Sequence, residues 1–490
     1  MHHSISNNQS EFIKRIATYI VMSLSVIIIV TFIILFVLGY RFDSGDGRLE
    51  QYALIQLSSN PSGATVTIDG KNIGSQTPNK STVRAGKHTI TMSRTGYETW
   101  TKTITIKSGV LEWLNYALLV PKKLTVESVI NYAAINSSVA SADGHYILIQ
   151  GKADTPAFDM VDLSSDTAKT TKLSIPADIY SDSTTVGVVH SFQVQKWDDG
   201  GRYVLIKHNY SNQSEWLVLD TQDVKLTKNI TRLFDVAISN VSFSGTSGNI
   251  YYALVVGDIR KLDLSAGTIS RPLVSNVVSF NINSSNVIAY VGTGVNGANQ
   301  QIVGLYRDGD DRPYTVRTIT NGSNSSLNAV AARYFNEDYV AISEDSKVDV
   351  LRGSYPTGTS SDNVTSLKAL TSFTVTGNVQ NLSFSPTGEY IFAQSAGNFT
   401  SYDLEYQSLV ASSVEGSGDI LPLKWLNDNY VWSDRDGKLT IREFDGTNVH
   451  TINSVTSGQG AAITSNGRYI YSVDKTTTGY QLQRVRVVLP

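Results

Sequence analysis

Seven histidines, 43 carboxylates and no cysteine are the groups with which this 490-residue chain could do chemistry. The lack of cysteine removes disulfides, thiolate metal sites and thiol nucleophiles together. His2 and His3 stand in the first residues and the other histidines are scattered; only His190 and His208 flank one repeating unit, and no metal site is expected there. The carboxylate pairs Asp198-Asp199 and Asp310-Asp311 fall in turns. A general acid and base need opposed positions across a cleft, which adjacent turn residues rarely give, so both pairs read as solvated turn residues. Asp43, Asp46 and Glu50 lack the alternating spacing of a calcium loop. The chain has no Gly-x-Ser-x-Gly elbow, no phosphate-cradling glycine loop between a strand and a helix, and no His-Glu-x-x-His helix. No catalytic, cofactor or metal site is assigned, no cofactor is expected, and the chain is not read as an enzyme.

The elements that would carry such residues are of two kinds. Ile16 to Tyr40 is an almost unbroken apolar run, uncharged from Ile16 to Leu38. Its 23 uncharged residues span roughly 34 Å as a helix, enough for a hydrocarbon core of about 30 Å. A cleaved signal peptide has a shorter apolar region, although Val37 and Gly39 minimally satisfy a peptidase, so the reading is an uncleaved single-pass anchor at 16–40. Lys14 and Arg15 precede it and Asp43 and Asp46 follow, which predicts a cytoplasmic tail at 1–15 and everything after the span outside. Beyond residue 40 the chain holds 38 basic and 42 acidic residues, with no basic domain to attract nucleic acid. Its 25 tyrosines and scarce helical periodicity point to an all-β exterior.

After a polar spacer at 41–51, five short stretches of alternating or β-branched residues lie between residue 52 and about 121, which predicts a small β-sandwich. Pro61, Ser62, Gly63 and Ala64, then Asp69-Gly70, Thr77-Pro78 and Gly96-Tyr97, punctuate it. Pro61 and Gly63 break a strand, Asp69-Gly70 fits a tight hairpin, and Thr77-Pro78 imposes an extended entry to the next segment. Tyr97 and Trp100 read as core aromatics, and His88 as structural or exposed. These residues resemble the PEGA domain, with serine at the second position where the family name has glutamate. The resemblance implies an envelope or surface-layer location and a scaffold, without catalytic residues.

From 122 to 490 the chain repeats: a turn, then a strand whose first large residue is usually tyrosine. The turn and strand recur at Asp143-Gly144-His145-Tyr146, Gly200-Gly201-Arg202-Tyr203, Gly248-Asn249-Ile250-Tyr251, Ser285-Asn286-Val287-Ile288, Asn336-Glu337-Asp338-Tyr339, Thr387-Gly388-Glu389-Tyr390, Asn427-Asp428-Asn429-Tyr430 and Asn466-Gly467-Arg468-Tyr469. Several copies end a later strand in Asp-Leu, at Asp162-Leu163, Asp263-Leu264 and Asp403-Leu404. Leu382 to Ile391 resembles the blade signature of WD40-like and TolB-like propellers. Eight repeats match the period of a four-stranded blade, with seven as the alternative. Residues 124–129 are expected to close the ring as an outer strand of the last blade.

The expectation is a membrane-anchored, extracytoplasmic scaffold whose propeller face binds an envelope protein, a peptide or a glycan. A surface-layer component, or an enzyme using the propeller channel, are the alternatives.

Overall fold

A computed structural model describes residues 6–42, 49–245, 248–283, 286–294, 300–320, 326–356, 366–416 and 421–489. His2, His3, the spacer acids Asp43 and Asp46, and Ser285 lie outside the described residues. The chain divides into two compact units, Met1–Lys123 and Leu124–Pro490.

In the first unit one helix, Ser6–Val37, starts earlier than the apolar run and ends three residues before Tyr40. Its stretch Glu11–Val37 is long and apolar enough to cross a membrane, and the described residues bury none of its most apolar window. Leu38 and Gly39 donate their backbone N–H groups to Ile34 O and Phe36 O, and Gly39 takes a φ of 81°, the left-handed conformation that commonly ends helices. The chain then runs directly into strand Tyr40–Phe42, which pairs with the start of Leu49–Asn60.

Leu49–Asn60, Asn79–Arg84 and Leu111–Leu118 join Tyr40–Phe42 in one four-stranded sheet. A second sheet has the order Lys71–Gln76, Thr65–Ile68, Gly86–Ser93, Trp100–Ile106. Alternation along the strands sends Ala53, Ile55, Leu57, Val66, Ile90 and Met92 into one core with Tyr97 and Trp100. The sequence does not announce Lys71–Gln76 or Asn79–Arg84. Their residues are mostly exposed and polar, so they carry no hydrophobic period and are strands only because neighbouring backbones pair with them.

The second unit contains eight four-stranded antiparallel sheets among the described residues. Their inner strands are Ser137–Ala140, His190–Trp197, Ile238–Phe243, Val277–Ile282, Leu327–Tyr334, Asn381–Phe384, Lys424–Trp425 and Ala461–Ile463. This is the eight-bladed count rather than seven. The eighth sheet takes its outer strand, Val126–Tyr132, from the beginning of the unit, where it pairs with Tyr480–Arg486. Across the seam Gly460 N–H donates to Ser138 Oγ at 2.8 Å, and Ile147, Ile149 and Val161 of the first blade share a core with Tyr469, Tyr471 and Leu482 of the eighth. Ordering an outer strand against the last blade hides both free edges.

The repeated turn has a physical reason. A side-chain oxygen before or within the turn accepts the N–H of the residue that opens the second strand: Ser141 for Tyr146, Asp198 for Tyr203, Ser385 for Tyr390, and Thr464 for Tyr469. The Asp-Leu ends work similarly. Asp403 Oδ1 accepts the N–H groups of Glu405 and Tyr406, while Leu404 drops into the core between the fifth and sixth blades. One helix was not foreseen in the propeller: the five-residue Ile230–Phe234, capped by Asn229 and packed between the second and third blades.

Candidate binding surface and a buried histidine relay

Where inner strands end, their side chains converge at one mouth of the propeller. A cavity of about 750 Å³ opens there, lined from six blades. Its charged residues are Asp143, Lys196, Asp199 and Arg333, and its neutral polar ones include Ser242 and Asn281. Lys196 Nζ donates to Ser242 Oγ at 2.9 Å. Although that side chain faces open space, protein surrounds much of it; this desolvation holds the ammonium below the usual lysine range, against the opposing pull of Asp199. Asp143 is tied into its own turn, accepting from Ser141 Oγ at 2.5 Å and His145 N–H at 3.0 Å. Such a rim offers hydrogen bonds and both signs of charge, the chemistry of recognition.

The residues singled out in the sequence do not assemble into one site. Pro61, Ser62, Gly63 and Ala64 form a turn held by Thr77: Ala64 N–H donates to Thr77 Oγ1 at 3.0 Å, and Gly63 N–H to Thr77 O at 2.8 Å. Asp69 and Gly70, with φ of 50° and 77°, make the hairpin between the strands at 65–68 and 71–76. His88 bridges that hairpin, with Nδ1 2.7 Å from Asp69 Oδ2 and Nε2 2.8 Å from Arg84 O. Pro78 is exposed beside buried Thr77. Gly96 has a φ of 87° and accepts Lys122 N–H, while Tyr97 is buried in the sandwich core. Each of these contacts is made within the domain.

Asp198 departs from its reading as a solvated turn residue. It is 1% exposed and accepts N–H groups from Gly200, Arg202 and Tyr203, so the carboxylate is a buried cap; Asp199 beside it is exposed. Asp310 stays in a turn, 3.8 Å from Arg307.

His190 and His208 do meet, but as members of a relay. Their rings stack and His190 Nδ1 lies 2.9 Å from His208 Nε2; His208 Nδ1 lies 2.8 Å from Glu215 Oε1. Glu215 also accepts from Ser181 N–H, Ser181 Oγ and Asn229 Nδ2. Burial alone would raise this carboxyl, but the donors from His208, Ser181 and Asn229 outweigh it and bring it to about 2. An ionised Glu215 accepts from His208 Nδ1–H, which leaves His208 Nε2 facing His190 Nδ1. The nitrogens face each other in hydrogen bonds, and among the described residues no three His, Asp or Glu side chains are grouped to hold a metal. Glu215 was not legible as a partner, yet the signal exists: Ser211-Asn212 is a two-residue turn, which sets His208 opposite Glu215 in the hairpin.

Residues 53–120 match the PEGA domain family. No curated protein sequence matches the chain. Among solved structures, the β-propeller domain of Cps50 (Swd1) from Myceliophteria thermophila is 13% identical with a TM-score of 0.41, covering 68% of this chain and 100% of that one. An oligogalacturonate lyase in complex with manganese is 11% identical with a TM-score of 0.41, covering 73% and 98%. The yeast Nup82-Nup159-Nup116 nucleoporin complex gives 10%, 0.41, 66% and 97% in the same order. The propeller assignment itself rests on the eight sheets and their closing strand. Together the two folds support a binding scaffold in general: the chain carries a PEGA domain at 53–120, between a helix apolar and long enough to cross a membrane and a β-propeller.

Proposed function

We propose that the chain is a single-pass, outward-facing scaffold of the cell envelope whose propeller mouth engages a protein, peptide or glycan partner. The observation that carries this is the cavity of about 750 Å³ at the inner-strand ends, where six blades contribute dispersed polar and charged side chains. An uncleaved helix would hold the PEGA domain and propeller at the membrane, and Lys14-Arg15 favours the orientation with both outside. We read the chain as non-catalytic, because Asp143 in the mouth is committed to its own turn and Lys196 to Ser242.

The cysteine-free chain allows a direct test. A photoreactive crosslinker on Asn281→Cys, in the mouth, is expected to trap a discrete partner in intact membranes. The same probe on Val256→Cys, at the hairpin linking the second and third strands of its blade, is not. Equal products from both positions, or none from Asn281→Cys, would refute the assignment. Protease added to intact cells is expected to remove the propeller, and full protection would reverse the orientation.

A further inference from the structure

We infer that the outer face of the first PEGA sheet docks on the interfacial layer of the bilayer, so that the domain lies against the lipid surface. This rests on reading the N-terminal helix as a membrane span. The face is built by register. Leu54 stands between Thr82 and Leu111, Gln56 between Lys80 and Trp113, and Tyr52 opposite Arg84. The opposite parity of the same strand, Ala53, Ile55 and Leu57, fills the sandwich core, so these side chains point outward. Leu111 and Trp113 are 39% and 38% exposed on this face. Lys80 and Arg84 flank this face, Arg84 pairing with Glu50 at 3.3 Å, and an apolar centre with Trp and Tyr inside a charged rim is the composition that settles at the headgroup level of membranes.

Continuity with the helix says what covers it. Gln51 Nε2 donates to Leu38 O at 2.9 Å, and Tyr52 N–H to Gly39 O at 3.0 Å, so this strand passes the helix at its last turn. Gly109 packs on the Gln51 side chain and Val110 O accepts Leu54 N–H, which brings the start of strand Leu111–Leu118 to the same level. From Tyr52 the strand runs on to Asn60, about 26 Å at 3.3 Å per residue, yet the helix window stays unburied among the described residues. A strand that leaves the helix end without covering the helix does not run back into the bilayer, and the outward Leu and Trp side chains favour a course across the surface over one away from it. Leu111 and Trp113 then lie where the acyl chains meet the headgroups.

The test uses the full chain in phosphatidylcholine nanodiscs, with an environment-sensitive fluorophore on single introduced cysteines. Leu111→Cys and Trp113→Cys report the face, Lys71→Cys the other sheet, and Phe36→Cys the helix. Quenching by doxyl-labelled lipid is expected to be at least about threefold stronger at 111 and 113 than at 71, with weaker quenching by aqueous iodide. Iodide quenching at 111 and 113 equal to that at 71, with Phe36→Cys still quenched by lipid, overturns the proposal while leaving the anchor intact. Protection from both quenchers means that protein covers the face, and also overturns it. Loss of lipid quenching at all positions overturns the anchor and the proposal with it.

Discussion

Replacing Glu215 with Gln should loosen the second blade by about 3 kcal/mol, and the size follows from the relay. Glu215 is 2% exposed and His208 fully buried. The four donors aimed at the carboxylate bring it from the ordinary 4.5 to about 2, which corresponds to about 3 kcal/mol of stability at neutral pH. The sign is that of a depressed carboxyl. The contribution is complete above 4.5 and is lost as pH falls from there through about 2. Glu215→Gln keeps the volume but turns an NH₂ towards groups that are already donors, so buried N–H or O–H groups lose their acceptor. Hydrogen exchange of peptides spanning 203–220 reads the result locally, without requiring the whole chain to unfold in one step. At pH 7 the variant should exchange there about 100-fold faster, while peptides of the sixth blade are unchanged. On acidification the difference between the two proteins should shrink. Unchanged protection at 203–220, or a difference that persists at the lowest pH, would refute the account of Glu215 as the ionised anchor of the relay.

The seam between the first and eighth blades can be tested at Gly144, where φ is 68° and an added Cβ would meet Ile463 O at 2.2 Å. Gly144→Ala should destabilise the propeller by about 3 kcal/mol in a thermal melt, whereas Gly257→Ala, with open space around it, should cost about 1 kcal/mol. A carboxyl with the opposite pH behaviour is Glu389. Burial, with the charges of Asp403, Glu405 and Asp428, pushes it up to about 7 against a hydrogen bond from Tyr390. Its folded-state value is raised, so stability should fall as pH rises from 4.5 to 7, by on the order of 3 kcal/mol; Glu389→Gln should remove that slope in chemical denaturation. In the PEGA domain, Trp100→Ala removes a core ring 1% exposed and should cost about 3–5 kcal/mol, read as exchange of residues 53–120.

Much of the architecture was legible because it is local. The turn oxygen that meets the strand-opening N–H, as in Ser385 with Tyr390, and the Asp-Leu ends are short-range arrangements that recur in the chain. Lys71–Gln76 and Asn79–Arg84 were not legible, since strands without an apolar face owe their conformation to partners. The burial of Asp198 was hidden for a different reason: two adjacent aspartates differ only in which one the turn folds inward.

The sequence by itself determined the apolar helix, the PEGA punctuation and the repeating turn and strand, and it pointed to the strand that closes the ring; the choice of eight blades over seven came from the sheets themselves. Periodicity and turn chemistry are properties of neighbours along the chain. Only the tertiary structure decided that His190, His208, Glu215, Asn229 and Ser181 form one relay, that six blades share a mouth, and that Leu111 and Trp113 share a sheet face with Leu54 and Gln56. Those relations join segments far apart in sequence, and they exist once sheet register and ring closure have fixed which side chains meet.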